Sequence, residues 1–172
     1  MNSKLKAVAP ESLAVNPFEL IGEQWTLITA GNGESLNTMT ASWGGFGVLW
    51  NKPVVYIFIR PQRYTLGFVE RESTFSLSFF DEEYRSALKL LGSKSGRDGD
   101  KIAEAGLTPD FTPSGTPTFK EASLVMECRK MFAATLGADD FVDTALRESI
   151  YPKGDFHRVF VGEIVGCWKA EE

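Results

Sequence analysis

The chain has 172 residues, 43% of them apolar and 24% charged, with a net charge of −5 at pH 7. That length suits one domain and lets most of the unfolded surface be buried, so thirteen Phe and four Trp serve as core material. Ordinary hydrophobicity, and sixteen Gly and eight Pro without a period, exclude disorder, collagen and coiled coil, while the acidic balance argues against nucleic acid as the main partner.

In chain order, residues 1–17 are polar, end in Asn16-Pro17 and read as an irregular leader. Trp25–Ala30 mixes β-branched and aromatic residues and stops at the turn signal Gly31-Asn32-Gly33, which predicts a strand. Thr38–Leu49 is strand-like but broken by Gly44, Gly45 and Gly47, a pattern that marks bulges or the close approach of backbone or ligand. Asn51-Lys52-Pro53 turns the chain into the apolar run Val54–Arg60.

Pro61 then interrupts pairing, and Tyr64–Arg71 predicts a short helix. Thr74–Phe80 alternates apolar and hydroxyl residues at period two, the mark of a half-buried strand. Glu82–Leu91 is an amphipathic helix with Tyr84, Leu88 and Leu91 on one face and Asp81 available as N-cap. Lys94–Gly99 is a loop, Asp100–Ala105 a further short helix, and the proline-containing Leu107–Phe119 an extended connection. Ser123–Leu136 reads as a long strand, with a helix as the alternative. Phe156–Val165 is a last strand with a bulge at Gly162, closed off by Cys167 and Trp168. Five to seven antiparallel strands with two or three short helices point to a mainly β fold, a small β-barrel with helical insertions, in one domain over residues 1–172 with its core at about 20–168.

Two cysteines, Cys128 and Cys167, are too few for a disulfide framework, and one histidine cannot complete a His- or Cys-rich metal set. No apolar run reaches the roughly 20 residues of a membrane span, and the N-terminus lacks a signal peptide's apolar stretch. The expectation is a reduced, cytoplasmic protein without membrane or nucleic-acid partners.

Three constellations carry chemistry. Arg60-Pro61-Gln62-Arg63-Tyr64-Thr65 joins a strand end to a helix start, where free N–H groups, the Arg63 fork and the Thr65 hydroxyl suit a phosphate; solvated strand ends are the alternative. Lys94-Ser95-Gly96-Arg97-Asp98-Gly99-Asp100-Lys101 supplies cations, a hydroxyl and glycines that permit close backbone approach, although Asp98 and Asp100 must face away; an ordinary charged turn is the alternative. One dianionic group could draw on both. Asn37–Trp43 offers hydroxyl and backbone donors beside the apolar Met39 and Trp43, an edge suited to a flat heteroaromatic ring; a barrel strand with solvent-facing hydroxyls reads equally well. His157, in Gly154-Asp155-Phe156-His157, is the side chain whose ordinary pKa lies near neutrality, and a lone histidine is more often structural. Cys128 reads as a small buried hydrophobe. Without a Ser-His-Asp elbow, a Walker loop or GxGxxG, acyl transfer, P-loop chemistry and a Rossmann site are unsupported.

These segments occur in a fixed order: Asn37-x-Met39-Thr40-x-Ser42-Trp43-Gly44, Arg60-Pro61-x-Arg63-Tyr64-Thr65, Phe75-Ser76-Leu77-Ser78, Ser95-Gly96-Arg97-Asp98-x-Asp100-Lys101, and Gly154-Asp155-Phe156-His157 through Val161-Gly162-Glu163. Together, over roughly residues 20–168, they resemble the flavin reductase-like family, flavoredoxins included. The resemblance implies an FMN-binding split β-barrel, usually a homodimer with the flavin near the subunit interface. Carried over by position, Met39, Thr40, Ala41, Ser42 and Trp43 would line the isoalloxazine. Arg60, Arg63, Tyr64 and Thr65 would hold the phosphate, with Ser95, Gly96, Arg97 and Lys101 closing over it. The family's Gly-Asp-His segment is associated with nicotinamide; here it is one residue longer, which leaves His157 as a candidate neighbour of the nicotinamide and NAD(P)H as the candidate co-substrate. The implied activity is transfer of hydride or electrons from NAD(P)H through FMN to a free flavin or another small acceptor. The alternatives are a flavoredoxin-type carrier served by an electron-transfer protein partner and a non-catalytic flavin-binding barrel.

Overall fold

Strand-forming runs separated by glycine- and proline-bearing turns dominate the computed structural model, which describes residues 4–170. The strands are β1 (Leu5–Ala7), β2 (Thr26–Gly31), β3 (Leu36–Ala41), β4 (Gly44–Leu49), β5 (Lys52–Ile59) and β6 (Thr74–Phe79). They continue with β7 (Pro109–Phe111), β8 (Pro117–Phe119), β9 (Leu124–Thr135) and β10 (Arg158–Ala170). Among the described residues four short helices intervene: α1 (Thr65–Arg71), α2 (Arg85–Ser93), α3 (Lys101–Glu104) and α4 (Thr144–Ile150). None of these is long and apolar enough to cross a membrane.

The main sheet is antiparallel and runs β3-β2-β6-β9-β10-β5-β4, with β1 also paired to β10. Helices of four to nine residues are too short to hold themselves in water, so packing on this sheet decides where they lie. Period-two alternation sends residues to two cores. Ile28, Phe75, Leu77, Met126 and Cys128 enter one, with Val55, Ile57 and Phe160 from β5 and β10. Leu27 and Val125 point the other way and pack against Leu88 and Leu91 of α2, Ile102 of α3 and Phe119 of β8. Each such large side chain contributes roughly 1.5–3 kcal/mol when fully buried.

Because β8 of the small β7–β8 sheet covers its outer face, β6 is buried on both sides rather than half-buried as its alternation predicts. Its hydroxyls are satisfied there: Ser76 Oγ donates to the Pro117 carbonyl at 2.6 Å, and Ser78 Oγ lies 2.9 Å from Thr118 Oγ1. The stretch expected as an extended connection is thus a two-stranded sheet plus this lid. Ser123–Leu136 is a strand, not a helix, because its alternate residues are claimed by the two cores.

Other expectations shift. The polar leader contributes β1, held by β10, and a short 3-10 turn at Pro10–Ser12, and a π-helical turn that buries Leu20 and Ile21 follows it at Phe18–Glu23; residues 1–3 lie outside the described ones. Thr38–Leu49 divides into β3 and β4, and at Gly44 (φ +149°) a Cβ would stand 2.7 Å from the Tyr56 carbonyl oxygen, the close backbone approach that its glycines signalled. Asp81 makes no side-chain cap, since a 3-10 turn at Glu82–Tyr84 precedes α2. The bulge at Gly162 is present, a second one follows at Gly166, and β10 continues through Trp168 to Ala170. At Gly162 a Cβ would lie 2.7 Å from the Phe75 ring, so core packing at the bulge requires glycine.

Candidate functional site

The loops at one end of the sheet bring two of the three constellations into a small cavity of about 150 Å³, lined by Asn37, Gln62, Arg63, Tyr64, Thr65, Gly92, Lys94, Ser95, Gly96 and Lys101. The order of construction is readable. Carbonyls at the end of a helix lack intrahelical partners and carry negative potential. At the end of α2 they draw in two cations: Arg63 Nη1 donates to Gly92 O at 2.8 Å, and Lys101 Nζ donates to Leu91 O at 2.9 Å and Lys94 O at 3.0 Å. Asp100, required by the sequence reading to face away or cap, caps α3 by accepting from Ala103 N at 3.0 Å.

Thr65, 1% exposed, accepts from Asn37 Nδ2 at 2.8 Å, which leaves its own hydroxyl proton available. Gly96 lies against Asn37 and Tyr64 so closely that any Cβ would collide with the Asn37 side chain. The other guanidinium nitrogen, Arg63 Nη2, is buried without a partner. Burial lowers the Arg63 pKa from its ordinary value, and burial together with neighbouring Arg63 lowers the Lys101 ammonium to about 8. Two unneutralised cations, an orphaned N–H group and a free hydroxyl form a receptor for an anion.

A second cavity of about 190 Å³ adjoins it through Arg63 and is lined by Met39, Thr40, Ala41, Ser42, Trp43, Phe58, Arg60 and His157. Thr40 Oγ1 donates to Leu88 O at 2.6 Å, which ties β3 to α2. Trp43 is half exposed, and its ring centroid is 5.5 Å from that of His157. Apolar and aromatic surface from Met39, Ala41, Trp43 and Phe58 stands beside the polar groups of Thr40, Ser42, Arg60, Arg63 and His157, a mixture that suits a flat heteroaromatic ring.

Not every predicted residue converges. Arg60 stands at the second cavity rather than the anion cavity. It pairs with Asp155, donates from Nη2 to Ile150 O at 2.9 Å and lies 5.2 Å over the Tyr151 ring. Gln62 and Arg60 together hold the Asp155 carboxyl below its usual range. Arg97 lies 4.6 Å over the Tyr64 ring, and its side chain does not line the anion cavity. Phe58 and Tyr151 are absent from the sequence reading. Phe58 sat unremarked within a strand, and Tyr151 reaches the site from the excursion between β9 and β10, whose helix α4 the sequence pass did not mark.

The flavin reductase like domain matches residues 18–172. Among solved structures, the FMN-binding domain of a flavin reductases-like enzyme from Shewanella baltica superposes with a TM-score of 0.70 at 16% identity, covering 99% of this chain and 79% of that one. Flavoredoxin from Methanosarcina acetivorans gives 0.67 at 22% identity, with 96% and 76% covered. The NADH:FAD oxidoreductase SgcE6 of Streptomyces globisporus gives 0.65 at 18% identity, with 85% and 75% covered. No curated protein matches the chain by sequence. The match over nearly its whole length, on a mainly β, split-barrel architecture, establishes that the chain belongs to the flavin reductase-like family.

Proposed function

We propose that this chain is an FMN-binding oxidoreductase that carries hydride or electrons from NAD(P)H through flavin to a free flavin or another small acceptor. One observation carries the reading: Arg63 lines both a phosphate-sized pocket and a ring-sized one, and its Nη2 is buried without a partner. The orphaned donor, the spare Thr65 proton and the Gly96 cradle fit a ribityl phosphate, so Arg63, Tyr64, Thr65, Ser95, Gly96 and Lys101 would hold it. Met39, Thr40, Ala41, Ser42 and Trp43 would line the isoalloxazine. Arg60 and Arg97 support these groups from outside, Arg60 by anchoring the segment that carries His157. FMN, when bound, supplies the two-electron chemistry. The chain's task is to orient the ring, exclude water on one side and leave room beside Trp43 and His157 for the second reactant.

Assembly as a homodimer is part of the proposal. Trp50 (55% exposed) packs on Phe132 (47% exposed) with ring centroids 6.4 Å apart, and β4 with Val48 forms an open sheet edge beside them. An apolar face on an uncovered edge is suited to a second copy.

The test is a visible spectrum of the purified protein with FMN, followed by anaerobic NADH and then NADPH. Flavin bands that bleach support the proposal. Bands that persist with both donors point to a carrier fed by a protein partner, and failure to bind FMN removes the reading.

A further inference from the structure

Tyr151 Oη lies 2.6 Å from His157 Nδ1, and this is the phenol's hydrogen bond among the described residues. Both residues are buried, at 9% and 6% exposure. A phenol has a single proton and a neutral imidazole has one donor and one acceptor nitrogen. If Nδ1 carried the imidazole proton, the phenol proton would have no acceptor in a buried setting. The satisfied arrangement therefore has Tyr151 O–H donating to a bare Nδ1, and places the imidazole proton on Nε2. Burial holds both groups neutral: it raises the Tyr151 pKa, and burial and nearby Arg60 lower that of His157.

Tyr151 is itself fixed. Its N–H donates to Arg147 O at 2.8 Å, its carbonyl accepts from Gly154 N at 3.0 Å, and its ring sits between Phe156 and the Arg60 guanidinium. The His157 carbonyl accepts from Leu136 N at 3.1 Å, which fixes the backbone that carries the imidazole just before β10. Nε2 has no hydrogen-bond partner among the described residues and is not sealed from open space, and the ring lines the cavity beside Trp43.

We propose that Tyr151 is a positioning residue that locks His157 in the Nε2–H tautomer, so that the site offers a fixed, neutral hydrogen-bond donor to a carbonyl oxygen of the molecule placed beside the flavin, such as the carboxamide of a dihydronicotinamide. This rests on the flavin reading for the identity of that molecule, but the tautomer is a property of the chain alone. The role is binding and orientation, with no proton transferred to substrate.

The chain has one histidine, so 15N-histidine labelling gives a single imidazole. At pH 8, long-range 1H–15N spectra of the wild type, with and without FMN, are expected to show Nδ1 unprotonated and Nε2 protonated. Tyr151→Phe should convert this to a tautomer mixture, since the ring packing stays and the donor goes. The same variant is expected to raise KM for NADH only by the inverse of the Nε2–H fraction that remains, about twofold for an even mixture, with FMN affinity unchanged. In a His157→Gln background, where a side-chain amide supplies the donor, Tyr151→Phe should have no further effect on KM. An Nδ1–H tautomer in the wild type, an unchanged tautomer in Tyr151→Phe, or an equal KM effect in both backgrounds overturns the proposal. The spectra need no turnover, so loss of the flavin reading by the bleaching test and loss of this one are separate results.

Discussion

Replacing Arg63 with alanine should separate the two halves of the site. Arg63 Nη1 is held by Gly92 O at 2.8 Å while Nη2 is buried and unpaired, so in the free protein the guanidinium is anchored but unsatisfied. A phosphate dianion would supply the missing acceptor. A hydrogen bond to a charged group contributes about 1.5–3 kcal/mol, and each 1.4 kcal/mol or so is tenfold in affinity. Arg63→Ala is therefore expected to weaken FMN by about 10- to 150-fold. Riboflavin has the same ring and no phosphate, so its affinity should change by no more than about twofold. In the free protein, losing the Gly92 bond and removing the orphaned N–H group offset each other, and the stability change should stay near about 1 kcal/mol. Parallel fluorescence titrations of FMN and riboflavin at fixed salt, with a denaturation curve on the same sample, measure all three. Equal losses for the two ligands would refute the phosphate role, and a collapse of stability would show that Arg63 is chiefly a structural cap for α2.

Three further perturbations probe the same architecture. Lys101 sits at about 8 rather than 10.5 because it is buried beside Arg63; between those values the unfolded chain binds more protons, so the full cost of burial is present below pH 8 and free-protein stability should rise from there toward pH 10. A dianion favours the charged ammonium, so FMN affinity should fall as pH rises through 8 and the fall should flatten in Lys101→Met; a flat wild-type profile in calorimetric titrations between pH 7 and 9 contradicts this. Gly96→Ala would drive a methyl into the Asn37 side chain and loosen its bond to Thr65, at about 1–3 kcal/mol of stability, read by chemical denaturation together with a drop in FMN binding. Phe132→Asp places a charge on the apolar face shared with Trp50, and sedimentation should show a monomer with an unchanged far-ultraviolet spectrum; an unaltered dimer places the interface elsewhere.

The local elements and the chemistry of the anion receptor are legible in the sequence, because both depend on near neighbours in the chain. Strand runs end beside Gly31-Asn32-Gly33 and just before Asn51, although β5 already begins at Lys52, and the Gly162 bulge can be read from a glycine inside an apolar strand. The clusters at 60–65 and 94–101 announce cationic character by composition, and the structure brings them together at Arg63, Ser95, Gly96 and Lys101. What alternation cannot report is whether a second layer covers a strand's polar face. Ser76 and Ser78 look solvent-facing until β8, some 40 residues on, supplies their partners. Nor does charge disclose its destination: Arg60 and Arg63 are three residues apart in the same motif. A strand end and a helix start aim one at Asp155, the other at the carbonyls of α2. Tyr151 carries no signal at all, since its role depends on α4 folding back so that one phenol meets one imidazole. The sequence by itself determined which chemistries the chain can hold. The tertiary structure decided which cation is left unpaired and which nitrogen of His157 faces the site, because both depend on contacts between segments far apart in the chain.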